Sequence, residues 1–140
     1  MWLVDDDAAV LRMLQALLDT LNVESQAFSS AKDFLAAYQP RPMECLVCDL
    51  RMPEMDGIAL QKQLQAKGLP LPIIFLTGHA EVDVAVQAMR DGALDFVQKP
   101  FSVRAMLDKI QAALSLSQKQ HAQWLELAWF KSGCFQVTQA

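Results

Sequence analysis

Apolar residues in this chain fall into short unbroken runs separated by stretches of helical spacing, and the alternation repeats five times. Trp2-Leu3-Val4 is a brief apolar run that stops at Asp5-Asp6-Asp7. Val10, Leu11, Leu14, Leu17, Leu18 and Leu21 follow with helical spacing, and Asn22 closes that helix. Residues 23–28 alternate weakly and read as a second strand. Ser30 followed by Asp33 is a capping pattern, and Phe34, Leu35 and Tyr38 give the next helix its buried face before Pro40 and Pro42 end it. Cys45-Leu46-Val47-Cys48 is a third apolar run, stopped by Asp49. A turn, Met52-Pro53-Glu54-Met55-Asp56-Gly57, comes next, because Pro53 fixes φ and Gly57 tolerates a positive φ.

Gly57 opens a helix with Ile58, Leu60 and Leu64 facing inward, and Gly68 caps its end. Ile73-Ile74-Phe75-Leu76, the most apolar run, ends at Thr77-Gly78-His79. Val82, Ala85, Val86 and Met89 predict a fourth helix face, closed by Gly92. Leu94-Asp95-Phe96-Val97 predicts a fifth strand running into Gln98-Lys99-Pro100-Phe101. Val103, Met106, Leu107, Ile110 and Leu114 predict a last helix. Continuous apolar strands are covered on both faces. Their alternation with helices predicts an α/β fold, a doubly wound (βα)5 parallel five-stranded sheet with right-handed crossovers.

Composition narrows the function classes. The 140 residues are 53% hydrophobic with a formal net charge of -4. That size fits one domain, and the acidic balance argues against direct nucleic-acid binding by this chain. No apolar run reaches the roughly 20 residues of a membrane helix, and no signal peptide is visible, so a cytoplasmic location is expected. Cys45 and Cys48 have C-x-x-C spacing, but residues three apart on a strand face opposite sides. They read as small buried hydrophobes, without a redox or zinc role. Cys134 lies in a C-terminal stretch of unclear nature.

In a parallel sheet all strand C-termini lie on one edge, where α/β proteins place their chemistry. This edge receives Asp5, Asp6 and Asp7 from the first strand, Asp49 from the third, Thr77 from the fourth and Lys99 from the fifth. Clustered carboxylates repel one another unless a cation neutralises them. A hard divalent ion with oxygen ligands serves, and Mg²⁺ takes only one or two carboxylates. Asp49 then has a face free to attack a phosphoryl group, whose charge Mg²⁺, Lys99 and Thr77 share. Asp7 has the plainer alternative of capping the following helix.

These residues resemble the receiver domain of two-component response regulators. The likeness rests on Val4-Asp5-Asp6-Asp7, on Asp49 within Cys48-Asp49-Leu50-Arg51-Met52-Pro53-Glu54-Met55-Asp56-Gly57, on Thr77-Gly78-His79, and on Asp95-Phe96-Val97-Gln98-Lys99-Pro100-Phe101. It covers about residues 2–116. Leu76-Thr77-Gly78-His79 and Asp95-Phe96 are most similar to regulators of the FixJ type, which carry a LuxR-type DNA-binding output; they also occur in the NtrC type. The resemblance implies a flavodoxin-like receiver fold, and Asp49 as acceptor of phosphate from a sensor histidine kinase. It implies Mg²⁺, or alternatively Mn²⁺, on Asp5, Asp6, Asp49 and the Arg51 backbone carbonyl, with Asp6 the more direct ligand. It further implies Thr77 and Lys99 on the phosphoryl group, Phe96 as an aromatic switch and a cis Lys99–Pro100 peptide. The face made by the fourth helix, fifth strand and fifth helix would then dock a partner or a second copy, giving a homodimer on phosphorylation. No organic cofactor and no membrane are implied. His79 reads as a loop residue flanking the pocket.

Residues 1–116 are thus expected to be the receiver domain. Residues 117–140 are expected to be a helical linker or tail, whether a truncation or artificial tail, the end of a natural single-domain protein or an amphipathic partner-binding helix, with no recognisable DNA-binding output domain. Residues 115–123 are polar enough to extend the last helix. The cluster Trp124, Leu125, Leu127, Trp129 and Phe130 favours self-association. Two other functions compete. A Mg²⁺-dependent phosphohydrolase with an aspartyl nucleophile is one; the haloacid-dehalogenase-like enzymes of that kind place an acid two residues after the nucleophile, where Arg51 stands here. A phosphorylation-independent interaction module would not need the full set of acids with Thr77 and Lys99. The expectation is therefore a switch that is not an enzyme, beyond self-phosphorylation and autodephosphorylation.

Overall fold

The computed structural model describes residues 1–41, 43–69 and 71–132. Five strands and five helices alternate: β1 Trp2–Val4, α1 Ala8–Thr20, β2 Gln26–Phe28, α2 Ala31–Ala37, β3 Leu46–Asp49, α3 Gly57–Ala66, β4 Ile73–Thr77, α4 Val82–Arg90, β5 Asp95–Gln98 and α5 Val103–Ser132, with a short 3-10 turn His79–Glu81 before α4. All strand pairs are parallel, in the order β2-β1-β3-β4-β5. The predicted doubly wound sheet is the one observed. β2 is confined to its last three predicted residues, and β5 begins and ends one residue later than the apolar run implied. No helix among the described residues is long and apolar enough to cross a membrane.

Strand periodicity sorts the core into two layers. Trp2, Val4, Leu46, Cys48, Ile73 and Phe75 face α2, α3 and α4, burying Phe34, Leu60, Leu64, Ala85 and Ala88. Leu3, Cys45, Val47, Ile74, Leu76 and Val97 face α1 and α5, burying Leu11, Leu14, Leu18, Met106 and Ile110. Cys45 and Cys48 therefore lie in different layers, both free. Burial pushes both thiols up, Cys45 to about 12. Each large aliphatic side chain buried in these layers contributes about 1.5–3 kcal/mol.

Local chemistry sets the helix ends. The side chains of Asp7, Ser30 and Asp56 accept from the backbone N–H groups of Ala9, Asp33 and Ala59, capping α1, α2 and α3. Asn22 and Gly68 follow α1 and α3 with φ of 55° and 69°. Two expected helix faces are corrected. On α4 the buried residues are Ala85 and Ala88, while Val86 is 40% exposed; on α5 Val103 is 52% exposed. Small alanines allow α4 to lie close to the sheet, so the valines turn outward. The turn before α3 also differs. Its positive φ belongs to Glu54, at 67°. Gly57 is required for close approach instead: a Cβ there would lie 2.6 Å from the Asp49 carbonyl oxygen and 2.8 Å from the Phe75 ring.

A residue that the sequence pattern does not single out closes the opposite edge. Glu44 is buried just before β3. Its carboxylate accepts from the Trp2 indole N–H at 3.1 Å, the Tyr38 hydroxyl at 2.6 Å and the Arg41 backbone N–H at 3.2 Å. Its own N–H donates to Ser117 Oγ on α5 at 2.8 Å. The Arg41 guanidinium sits 5.4 Å over the Trp2 ring. This node joins the starts of β1 and β3 to α2 and α5. α5 runs unbroken to Ser132, so the expected extension of the last helix is longer than residues 115–123. The side chains of Trp124, Leu125, Leu127, Trp129 and Phe130, and all of residues 133–140 with Cys134, lie outside the described residues.

Two stability changes follow. Gly57→Ala is expected to destabilise by about 2–4 kcal/mol in urea unfolding, although alanine is the better helix former by about 1 kcal/mol, because backbone must move to admit the methyl group. Glu44→Ala is expected to cost about 2–4 kcal/mol by leaving three donors without their acceptor, and Glu44→Gln, which keeps one amide oxygen, less than half of that. Equal losses for the two Glu44 variants would contradict the node.

Candidate functional site

The C-terminal edge of the sheet brings together residues far apart in the chain. Asp5 directly follows β1 and is fully buried; Asp49 ends β3 and is 9% exposed; Thr77 ends β4 and is fully buried. Asp6 is exposed. The carboxylate oxygens of Asp5, Asp6 and Asp49 all lie within 4.8 Å of one another. Lys99 follows β5, and its Nζ reaches 3.0 Å from Asp5 Oδ2 and 3.5 Å from Asp49 Oδ2. The Lys99–Pro100 peptide bond is cis.

Each carboxylate has a distinct environment. Asp5 is held on both oxygens, Oδ1 accepting from the Asp7 N–H at 2.9 Å and Oδ2 from Lys99. Asp49 has Oδ1 3.5 Å from the Arg51 N–H and Oδ2 toward Lys99. Burial raises the Asp49 pKa to about 6, with the Asp5 charge adding and Lys99 opposing. Burial also works against the Lys99 charge, but its ion pairs with Asp5 and Asp49 outweigh it and hold its pKa above the ordinary lysine value. Asp7 points its side chain to the α1 cap and lies outside the cluster of three.

The donor set fits a hard divalent cation. It offers three carboxylates and only oxygen ligands, and one lysine leaves most of their charge uncompensated. Among the described residues, Asp5, Asp6 and Asp49 could hold such an ion.

Two further elements frame the pocket. The Thr77 hydroxyl donates to the Gly78 carbonyl at 3.0 Å. Arg51 Nε pairs with Glu81 Oε1 at 2.8 Å, tying the loop after β3 to the turn after β4. Phe96 is half-buried against the α2–α4 layer. Beside it Asp95 pairs with Lys109 of α5 at 2.5 Å. The side chain of His79 lies outside the described residues. Sequence reading missed Glu81 and the Asp95–Lys109 pair. The only signal for either was charge near the pocket, which surface loops carry routinely.

Comparison with known proteins identifies the family. A family model described as the response regulator receiver domain matches residues 1–111. The response regulator protein TodT of Pseudomonas putida is 41% identical over 121 residues, covering 86% of this chain and 53% of that protein. The transcriptional regulatory protein FixJ of Bradyrhizobium diazoefficiens is 41% identical over 113 residues, covering 81% and 55%. The chain thus spans about half the length of these curated relatives. Among solved structures, the response regulator StyR superposes with a TM-score of 0.82 at 37% identity, covering 99% of this chain and 68% of StyR. Full-length FixJ from B. japonicum superposes with a TM-score of 0.78 at 39% identity, covering 84% and 58%. Fold, acidic edge and relatives agree, and the chain belongs to the response regulator receiver domain family.

Proposed function

We propose that Asp49 accepts a phosphoryl group from a phosphohistidine on a sensor histidine kinase, and that the resulting acyl phosphate switches this domain. The observation that carries the reading is the single ammonium of Lys99 reaching both Asp5 and Asp49 within a cluster of three carboxylates. In the transfer, an Asp49 carboxylate oxygen forms the new O–P bond, the histidine N–P bond breaks, and its electron pair stays with the imidazole. Asp5, Asp6, Asp49 and the Arg51 carbonyl would hold Mg²⁺, or Mn²⁺ in its place, which would supply charge neutralisation for the transferred group. Lys99 balances charge on the phosphoryl oxygens. Thr77 gives up its bond to the Gly78 carbonyl and donates to one of them. Phe96 turns further inward as Thr77 moves.

Residues 1–116 form the receiver in this reading, and residues 117–140 the start of a linker or tail. The switched face comprises α4, β5 and the first part of α5, where Val84, Val86 and Val103 are exposed by 39%, 40% and 52%. Such a patch suits a homodimer formed on phosphorylation. The printed name of FixJ, a transcriptional regulatory protein, supports control of transcription by the whole protein, with no nucleic-acid contact by this chain. Turnover hydrolysis is disfavoured by Arg51. The position two after Asp49 carries a cation paired to Glu81, where haloacid-dehalogenase-like hydrolases place an acid.

Incubation with acetyl phosphate and Mg²⁺, followed by intact mass, is expected to add one phosphate to the wild type and none to Asp49→Asn. A stoichiometric adduct on the variant, or an adduct indifferent to Mg²⁺, contradicts the reading. In metal-free buffer Asp49→Asn is expected to raise Tm by a few degrees. Removing one of three crowded charges returns about 1 kcal/mol after discounting for solvent screening. Adding Mg²⁺ is then expected to raise Tm of the wild type more than that of the variant; an equal rise places the ion elsewhere.

A further inference from the structure

We propose that a second site, remote from the carboxylates, binds a small neutral molecule with an apolar body and a hydrogen-bond donor. It is a cleft of about 290 Å³ at the opposite end of β4 from Thr77. Its walls come from α3, the approach to β4, the α4–β5 turn and α5, through Gln61, Leu64, Leu71, Ile73, Leu116 and Gln120.

Unmet acceptors point to a ligand. Among the described residues, two buried side-chain polar atoms have no hydrogen-bond partner, Gln61 Oε1 and Gln120 Oε1, and both residues line this cleft. Gln61 is 1% exposed, and its Nε2 donates to the Ala88 carbonyl at 3.1 Å. Exchanging its amide atoms brings no relief: two carbonyl oxygens would then face each other and the NH₂ would lose its acceptor. Buried acceptors require donors, from protein, solvent or ligand. No described lining residue is charged. A charged guest would therefore be stranded, and the guest is neutral. The volume lies near the lower end of the range for small-molecule sites and accommodates a single ring bearing a hydroxyl. Ordered water is the rival occupant. Because Leu116 and Gln120 belong to α5, an occupant bears on the helix that leads away from the domain.

The test is titration of the ¹⁵N-labelled 140-residue chain with phenol and, separately, toluene, followed by amide chemical shifts. Phenol is expected to give saturable shifts at residues 61–73, 92–94 and 116–120 and to leave residues 5–7 and 49–51 unmoved. Toluene, of similar size but without a donor, is expected to bind at least about tenfold more weakly. Gln61→Met is expected to weaken phenol by about tenfold or more, and Leu116→Trp, which fills the cleft from a half-buried position, to abolish its binding. Where Gln61→Met does not fold, Leu116→Trp and the toluene comparison decide the matter. Equal binding of phenol and toluene, phenol shifts that survive Leu116→Trp, or a phenol-soaked crystal with only water in the cleft would overturn the proposal. None of these readouts depends on phosphorylation, so failure here leaves the role of Asp49 untouched.

Discussion

The ammonium of Lys99 lies 3.0 Å from one buried carboxylate oxygen and 3.5 Å from another. At an effective dielectric of ~20, two carboxylates at the 4.8 Å limit of this cluster repel by about 3 kcal/mol, and an ion pair at 3.0–3.5 Å returns about 5. Lys99 can thus compensate two acids but not three. Asp5 is anchored a second time by the Asp7 N–H, and Asp6 remains in water. Asp49 has the least support: one long backbone contact and the more distant side of Lys99. Burial, with the Asp5 charge adding to it, raises its pKa, and these two contacts only partly oppose the rise. Of the two buried acids, Asp49 is the one the protein satisfies less, and so the one with more to gain from a cation.

Delivery of that acid depends on backbone as much as on charge. Asp49 ends a strand buried on both faces, and α3 starts eight residues later against the Asp49 carbonyl. Only a residue without a Cβ allows that approach, so Gly57 sets the depth of the pocket floor. On the other side, Arg51 and Glu81 join the two loops that follow β3 and β4. Asp49 and Thr77 are therefore held from below by the sheet and from above by an exposed ion pair.

Most of this architecture was legible because burial leaves a simple imprint. A strand covered on both faces reads as Ile73-Ile74-Phe75-Leu76 with no polar interruption, and the acids stand where the runs stop. Other features left no such imprint. On α4, Val86 and Ala88 both suit an inward face, and only the close approach of helix to sheet selects the alanine. Gly57 looked like a residue for a turn of positive φ; its neighbours in space, Asp49 and Phe75, determine its role. Glu44 sits between Met43 and Cys45 in a segment flanked by prolines, where a glutamate ordinarily faces solvent. Its burial depends on Trp2, Tyr38 and Ser117, which are distant in sequence. Gln61 falls on the inward face of α3 by its spacing with Gly57, Leu60 and Leu64, but an amide side chain ordinarily marks a solvent-facing position.

The two edges of the sheet limit where a conformational change can occur. At one edge Lys99 joins the ends of β1 and β3; at the other Glu44 joins the starts of the same strands and adds Ser117 of α5. Between them the strands are buried on both sides, and sliding one would break paired polar groups at both ends along with a packed layer. Motion is cheaper in the pieces held by one contact or half in solvent: the Thr77 hydroxyl on its neighbouring carbonyl, the Arg51–Glu81 pair, and Phe96. All three lie after or on β3, β4 and β5, on the side of α4 and the start of α5. In the proposed switch, a disturbance at Asp49 would therefore be directed toward that face, while the Glu44 node joins Ser117 of α5 to the starts of the strands that bear the acids.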